Sequence, residues 1–189
     1  MNLADKRNLL RESKGTYNLC KCVFSYTPNS AWYFYIVDCT DKLFYGAAEQ
    51  DFILNGFEIR RISDLKKIEI MDIGYAKINE ENKLLADLKK PQLDLSSWQT
   101  VFESLKALNV YVIIENENTK EDLDFFHIGY IKDVKESCVI FSSFDADGEW
   151  TENIIIPYSK ITTVTFNDRY STTWRKYLER HNQLPSNQE

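Results

Sequence analysis

Histidine and cysteine are scarce in this chain: two and four among 189 residues, which leaves little material for a metal centre or a nucleophile–base pair. Glycine and proline are also few, at six and four. A composition of 43% hydrophobic and 28% charged residues is that of an ordinary globular protein, so disorder, collagen and coiled coil are excluded. No apolar run approaches the roughly 18–20 residues that a membrane helix needs. The opening Met1-Asn2-Leu3-Ala4-Asp5-Lys6 has no basic region followed by an apolar stretch, so no secretory signal is expected. Basic side chains are outnumbered, 23 against 29, and a net charge of −6 argues against wrapping nucleic acid by bulk electrostatics.

What cysteine there is fits a reducing compartment. Cys20, Cys22, Cys39 and Cys138 have no framework spacing, and three lie in apolar, strand-like runs. Cys20-Lys21-Cys22 could offer two thiolates, but a structural zinc wants four N/S ligands and the rest are scattered singly. On a strand both would point to one face as small apolar fillers. The expectation is a cytoplasmic protein with free thiols and no metal or cofactor.

The sequence laid on itself with a shift of 94 to 95 residues shows two similar halves. Tyr17 falls on Tyr111, Tyr35-Ile36-Val37-Asp38 on Tyr130-Ile131-Lys132-Asp133, and Lys67-Ile68 near Lys160-Ile161. Each half opens with a helix. The first, Leu3 to Lys14, is closed by Gly15, where a left-handed residue is wanted. The second begins at Ser96, with Gln99 completing a capping box, and Trp98, Val101, Phe102, Leu105 and Leu108 form one apolar stripe. Asn109 ends it. Five short β-type runs follow each helix, broken by Thr-Pro-Asn-Ser, Asn-Gly and Asp-Gly signals. Helical tails, Glu80 to Leu88 and Thr172 to Asn182, close the halves.

A helix and five short strands in each half resemble a small β-barrel of the Sm-like or SH3-like kind. Val139-Ile140-Phe141-Ser142-Ser143-Phe144-Asp145 is similar to the strand entering the Sm family's Asp-containing turn, and Ile154–Ile156 with Lys160–Val164 resemble the closing pair. Residues 55–68, from Asn55-Gly56-Phe57 to Lys67-Ile68, resemble a pattern common in small uncharacterised bacterial proteins. The resemblance implies a mainly β (α+β) chain built as two tandem Sm-like barrels, each preceded by a helix. The halves would span 1–88 and 95–182, with a linker at 89–94 and a flexible tail at 183–189. Because a covalent pair satisfies one strand edge internally, a monomer or homodimer is expected and not a hexameric ring. The family's RNA-binding residues do not carry over. Asp145 is followed by Ala146-Asp147-Gly148-Glu149-Trp150 without the family's Asn, and neither late turn (Met71-Asp72-Ile73-Gly74, Phe166-Asn167-Asp168-Arg169) has its basic element.

The candidate chemistry is correspondingly thin. His127 sits inside a strand among apolar neighbours, and His181 ends the last helix, where a positive charge suits the dipole. Asp145, Asp147 and Glu149 resemble part of a calcium loop but lack the Glu at its twelfth position, so a hairpin turn is the better reading. Residues 1–94 hold 14 basic and 14 acidic side chains, while 95–189 hold 9 and 15, so the second half carries the net charge. Its densest stretch, Glu115, Glu117, Glu121, Asp122 and Asp124, reads as an exposed loop. Arg60, Arg61, Lys66 and Lys67 are the candidate phosphate-binding cluster of an alternative, nucleic-acid-associated reading. Trp32-Tyr33-Phe34-Tyr35 puts aromatic rings on both faces of one strand and is the candidate protein-binding surface. A ligand groove between the halves is a third reading. The leading expectation is a non-catalytic adaptor or regulatory module that binds protein partners through these aromatic faces.

Overall fold

The computed structural model describes residues 1–118 and 124–181. The first half contains α1 (Leu3–Ser13), β1 (Leu19–Phe24), β2 (Trp32–Cys39), β3 (Leu43–Gln50), β4 (Ile53–Arg61), β5 (Leu65–Ile70) and α2 (Gly74–Glu81). The second contains α3 (Trp98–Ala107), β6 (Val112–Asn116), β7 (Phe125–Val134), β8 (Cys138–Ser143), β9 (Ile154–Pro157), β10 (Thr163–Phe166) and α4 (Arg169–Arg180). Helix α1 starts at a reciprocal cap between Asn2 and Asp5, and Gly15 beyond its end adopts φ +71° as expected. The cap of α3 lies one residue later than the sequence suggested. Ser97 and Thr100 form the box, because Asp94 accepts both the amide and the hydroxyl of Ser96.

The ten strands of the described residues belong to one open, antiparallel sheet in the order β5-β1-β2-β3-β4-β10-β6-β7-β8-β9. This corrects the expected pair of separate small barrels. Each half contributes its strands in the same spatial order, but neither closes on itself. The free edge of β4 pairs with the free edge of β10, with Phe57 opposite Phe166, Ile59 opposite Val164 and Arg60 opposite Thr163. An unpaired edge leaves a row of backbone donors and acceptors open; here the halves satisfy two such rows by joining them.

The cores follow from that seam. On one face α3 inserts Val101, Phe102 and Leu105, all fully buried, into a cluster that holds residues of both halves. Tyr45, Phe57 and Phe166 run through it in ring contact, at 5.8 Å and 5.2 Å between successive centroids. Burying one such ring contributes about 1.5–3 kcal/mol, so the seam is an apolar core as well as a hydrogen-bonded ladder. On the other face α1 sets Leu10 over Cys20, Cys22, Phe34, Ile36 and Phe44. Helix α4 covers the corresponding face of the second half, packing Leu178 and Trp174 on Tyr111, Ile113, Ile128 and Phe144. Phe34 and Tyr35 are thus buried on opposite faces, as successive strand residues must be when both sides of a sheet are covered.

One turn assignment changes. Asn55-Gly56 is not a hairpin turn; it lies inside β4, with Gly56 at φ +74° where an added Cβ would stand 2.5 Å from the Asp168 amide nitrogen. Asn55 accepts a hydrogen bond from the Arg169 amide at 3.0 Å, so the pair docks the strand against the start of α4. The actual β3–β4 turn is at Asp51 and Phe52, both at positive φ (50° and 66°). The Asp145–Gly148 segment is a hairpin turn as expected, with the Asp145 carboxylate accepting from the amides of Asp147 and Glu149. Glu121, Asp122, Asn182 and the tail at 183–189 lie outside the described residues.

Candidate functional site

The seam places charge inside the sheet. Arg60, Thr163 and Glu115 occupy one row across β4, β10 and β6. Arg60 is 1% exposed. Its Nε donates to Glu58 at 2.7 Å, and its Nη1 donates to Glu117 at 2.6 Å and to the Tyr26 hydroxyl at 3.0 Å. Its guanidinium lies 4.4 Å from the Phe24 ring centroid and 5.1 Å from that of Trp32. Burial alone would lower the pKa of Arg60, but Glu58 and Glu117 outweigh it and raise it. Thr163 donates to the same Glu117 carboxylate at 2.5 Å. One arginine of the first half is therefore clamped to a carboxylate of the second.

Glu115, beside this pair, has no ion-pair partner among the described residues. Burial, reinforced by the like charges of Glu117 and Glu58, pushes its carboxyl up to about 7 from the ordinary 4.5. Between those values the folded chain keeps a proton that the unfolded chain releases, so this group's contribution to stability falls as pH rises from 4.5 to about 7. Glu115→Gln is expected to raise the unfolding free energy by about 2–3 kcal/mol at about pH 8 and to leave it unchanged near about pH 4. Urea unfolding at both pH values checks this; equal effects would contradict it.

Glu58 and Trp32 also line an open cleft of about 600 Å3. Strand β2 supplies Trp32 and Tyr33, the β3–β4 hairpin supplies Glu49 and Asp51, and Ile73 with Tyr75 closes the side at α2. Among the described residues three carboxylates line it and no lysine, arginine or histidine does. Only Glu58 has a cationic partner among the described residues. Glu49 accepts from the Phe52 amide and the Tyr75 hydroxyl, each at 2.8 Å. Phe52 stacks on Tyr75 with centroids 4.1 Å apart. These contacts hold a turn whose two central residues lack the Asn-Gly chemistry that such φ values favour. An aromatic side chain at positive φ costs of order 1 kcal/mol or more. The stacking on Tyr75 holds Phe52, 43% exposed, next to the cleft; Ile53 and Ile73 are 52% and 45% exposed.

The aromatic run singled out in the sequence divides between core and cleft. Phe34 and Tyr35 are buried in the two cores and present no protein-binding surface, whereas Trp32 and Tyr33 are partly exposed in the cleft. The basic cluster is divided too. Arg60 is withdrawn from solvent, and Arg61 is half-buried, donating to the Tyr158 carbonyl and lying 3.6 Å from Asp64. Lys66 and Lys67 are exposed on the edge strand β5, with Lys67 2.6 Å from Glu69. His127 stacks on Phe125 at 5.2 Å, and burial lowers its pKa. His181 packs on Tyr177 beyond the end of α4. Cys20 and Cys22 are buried free thiols on one face, as expected, and burial pushes Cys20 up to about 11. Glu49, Asp51 and Tyr75 escaped the sequence reading. The only available signal was Asp-Phe standing where a β-turn was needed.

No family model, curated protein or solved structure matches the chain. Among the described residues no group of three or more His, Cys, Asp or Glu is placed to hold a metal ion, and no helix is long and apolar enough to cross a membrane. What the cleft offers chemically is aromatic faces and uncompensated carboxylates, a setting that attracts organic cations.

Proposed function

We propose that the protein is a non-catalytic binding module whose cleft receives a lysine- or arginine-bearing segment of a partner protein. The observation that carries this reading is the lining itself: Trp32, Tyr33 and Tyr75 beside Glu49, Asp51 and Glu58, with no basic side chain among the described residues. A cation over an aromatic face gains about 0.5–1 kcal/mol when exposed and about 2 when desolvated. The uncompensated Asp51 and Glu49 add charge complementarity, which steers encounter and rejects acidic partners. Phe52, Ile53 and Ile73 give the rim the apolar area that protein contacts use. The four free thiols support action in a reducing compartment such as the cytoplasm. Arg60, locked against Glu58 and Glu117, weighs against the alternative polyanion-binding reading.

The test uses fluorescein-labelled peptides of arginine-rich, lysine-rich, neutral and acidic sequence, followed by anisotropy. Saturable binding of the cationic peptides, weakened by salt, is expected. The double variant Asp51→Asn, Phe52→Gly installs the favoured turn chemistry while removing one carboxylate and the rim ring. It should keep its stability to within about 1 kcal/mol yet lose about tenfold or more in affinity. Equal binding by variant and parent, or no preference for cationic peptides, would refute the reading.

A further inference from the structure

A second cleft, of about 430 Å3, opens where the two halves meet, lined by residues from α1 and from the start of α3. It is independent of the acidic cleft and opposite in character. Leu3, Leu43, Trp98 and Tyr158 give it apolar walls. Three cationic side chains line it as well: Arg7 from α1, Lys42 from the β2–β3 turn and Arg61 from the end of β4. Two are fixed by backbone acceptors, Arg7 Nε donating to the Asp41 carbonyl at 2.9 Å and Arg61 Nη2 to that of Tyr158. Arg61 also lies 5.8 Å from the Trp98 ring centroid, so a charge and an aromatic face meet in the cleft. Lys42 has no ion-pair partner among the described residues. Of the two lining acids, Asp41 is taken by Arg11 at 2.5 Å, which leaves Glu136 against Arg7, Lys42 and an Arg61 that also pairs with Asp64 at 3.6 Å.

Trp98 adds a separate observation. It is 8% exposed, and its indole N–H is buried with no acceptor among the described residues. A buried donor left without a partner costs about 1–3 kcal/mol. The cleft's size, apolar walls and few convergent polar groups are those of a small-molecule site.

We infer that this cleft binds a small organic anion, its apolar body against Trp98 and Tyr158 and its acidic head, a carboxylate or a phosphate, among Arg7, Lys42 and Arg61. The site is assembled from both halves, so it exists only when the seam is closed.

The experiment titrates the full chain with anilinonaphthalene sulfonate, an aromatic anion that fluoresces in apolar surroundings, and with phenylnaphthylamine, a similar body without the charge. One-to-one binding of the sulfonate is expected. Lys42→Gln should weaken it about fivefold or more, and Glu136→Gln should tighten it by a similar factor. The neutral probe should respond to neither substitution. Both residues lie at the cleft mouth outside the cores, so folding is preserved, and circular dichroism verifies this. Displacement by phenyl phosphate or by naphthoate then assigns the head group. Insensitivity of the sulfonate to both substitutions, equal responses of the neutral probe, or displacement by neither competitor would overturn the inference.

Discussion

Replacing Arg60 by Met is expected to cost about 3–5 kcal/mol of stability at neutral pH, because it strands buried carboxylates without their counter-charge. Glu58 and Glu117, with side chains 14% and 17% exposed, would face each other and Glu115 with no cation between them. Loss of the cation–π contacts with Phe24 and Trp32 adds to the effect. Two further outcomes separate this account from simple loss of packing. Part of the deficit should return on acidification, as the stranded carboxylates take up protons. The triple variant Arg60→Met, Glu58→Gln, Glu117→Gln should be more stable than the single one, since neutral groups tolerate burial better than unpaired ions. Urea unfolding of both variants across pH checks all three statements, and a triple variant less stable than the single one would contradict them.

A comparable loss, about 3 kcal/mol or more, is expected from Gly129→Ala in the middle of β7. An added Cβ there would stand 1.9 Å from the Ser142 carbonyl oxygen and 3.1 Å from the Ser143 Cα. The obstacle is backbone, so no side chain can rotate away. Strands β7 and β8 would have to part where Gly129 faces Ser143 and Tyr130 faces Ser142. Gly74, the first residue of α2, provides the control: nothing lies within 4 Å of its added Cβ. Gly74→Ala should leave stability unchanged or raise it by about 0.5 kcal/mol. Thermal unfolding of the two variants measures the contrast, and similar melting temperatures would remove the steric argument.

The sequence made the elements legible where the signal was local. The stripe Trp98, Val101, Phe102 and Leu105 is the buried face of α3, and Asn109 takes the left-handed conformation that ends it. Cys20 and Cys22 share a core face because strand periodicity requires it. What stayed hidden was non-local. Ile59 finds Val164 across the seam, and no turn or spacing announces a pairing between residues so far apart. The same pairing explains why Phe34 and Tyr35 are both buried: the second half lends its core to the far side of the first. The candidate cleft was half legible. Trp32 and Tyr33 stood out as aromatics, but Asp51, Glu49 and Tyr75 meet them only through a strained turn that turn propensities disfavour. Arg60 reads in the sequence as one of a basic cluster with Arg61, Lys66 and Lys67. Its burial depends on Glu117 in the other half.

The seam also sets a problem during synthesis. Phe57 and Ile59 leave the ribosome about a hundred residues before Phe166 and Val164, the residues that cover them. At ribosomal speeds that is about 5–20 s with an apolar strand edge open to any neighbouring chain. Arg60 stands on that edge. A foreign strand that paired with β4 would have to bury its guanidinium with Glu58 but without Glu117, a costly arrangement that the proper partner relieves. The arginine that locks the finished sheet is thus also a guard against mispairing while the chain is incomplete.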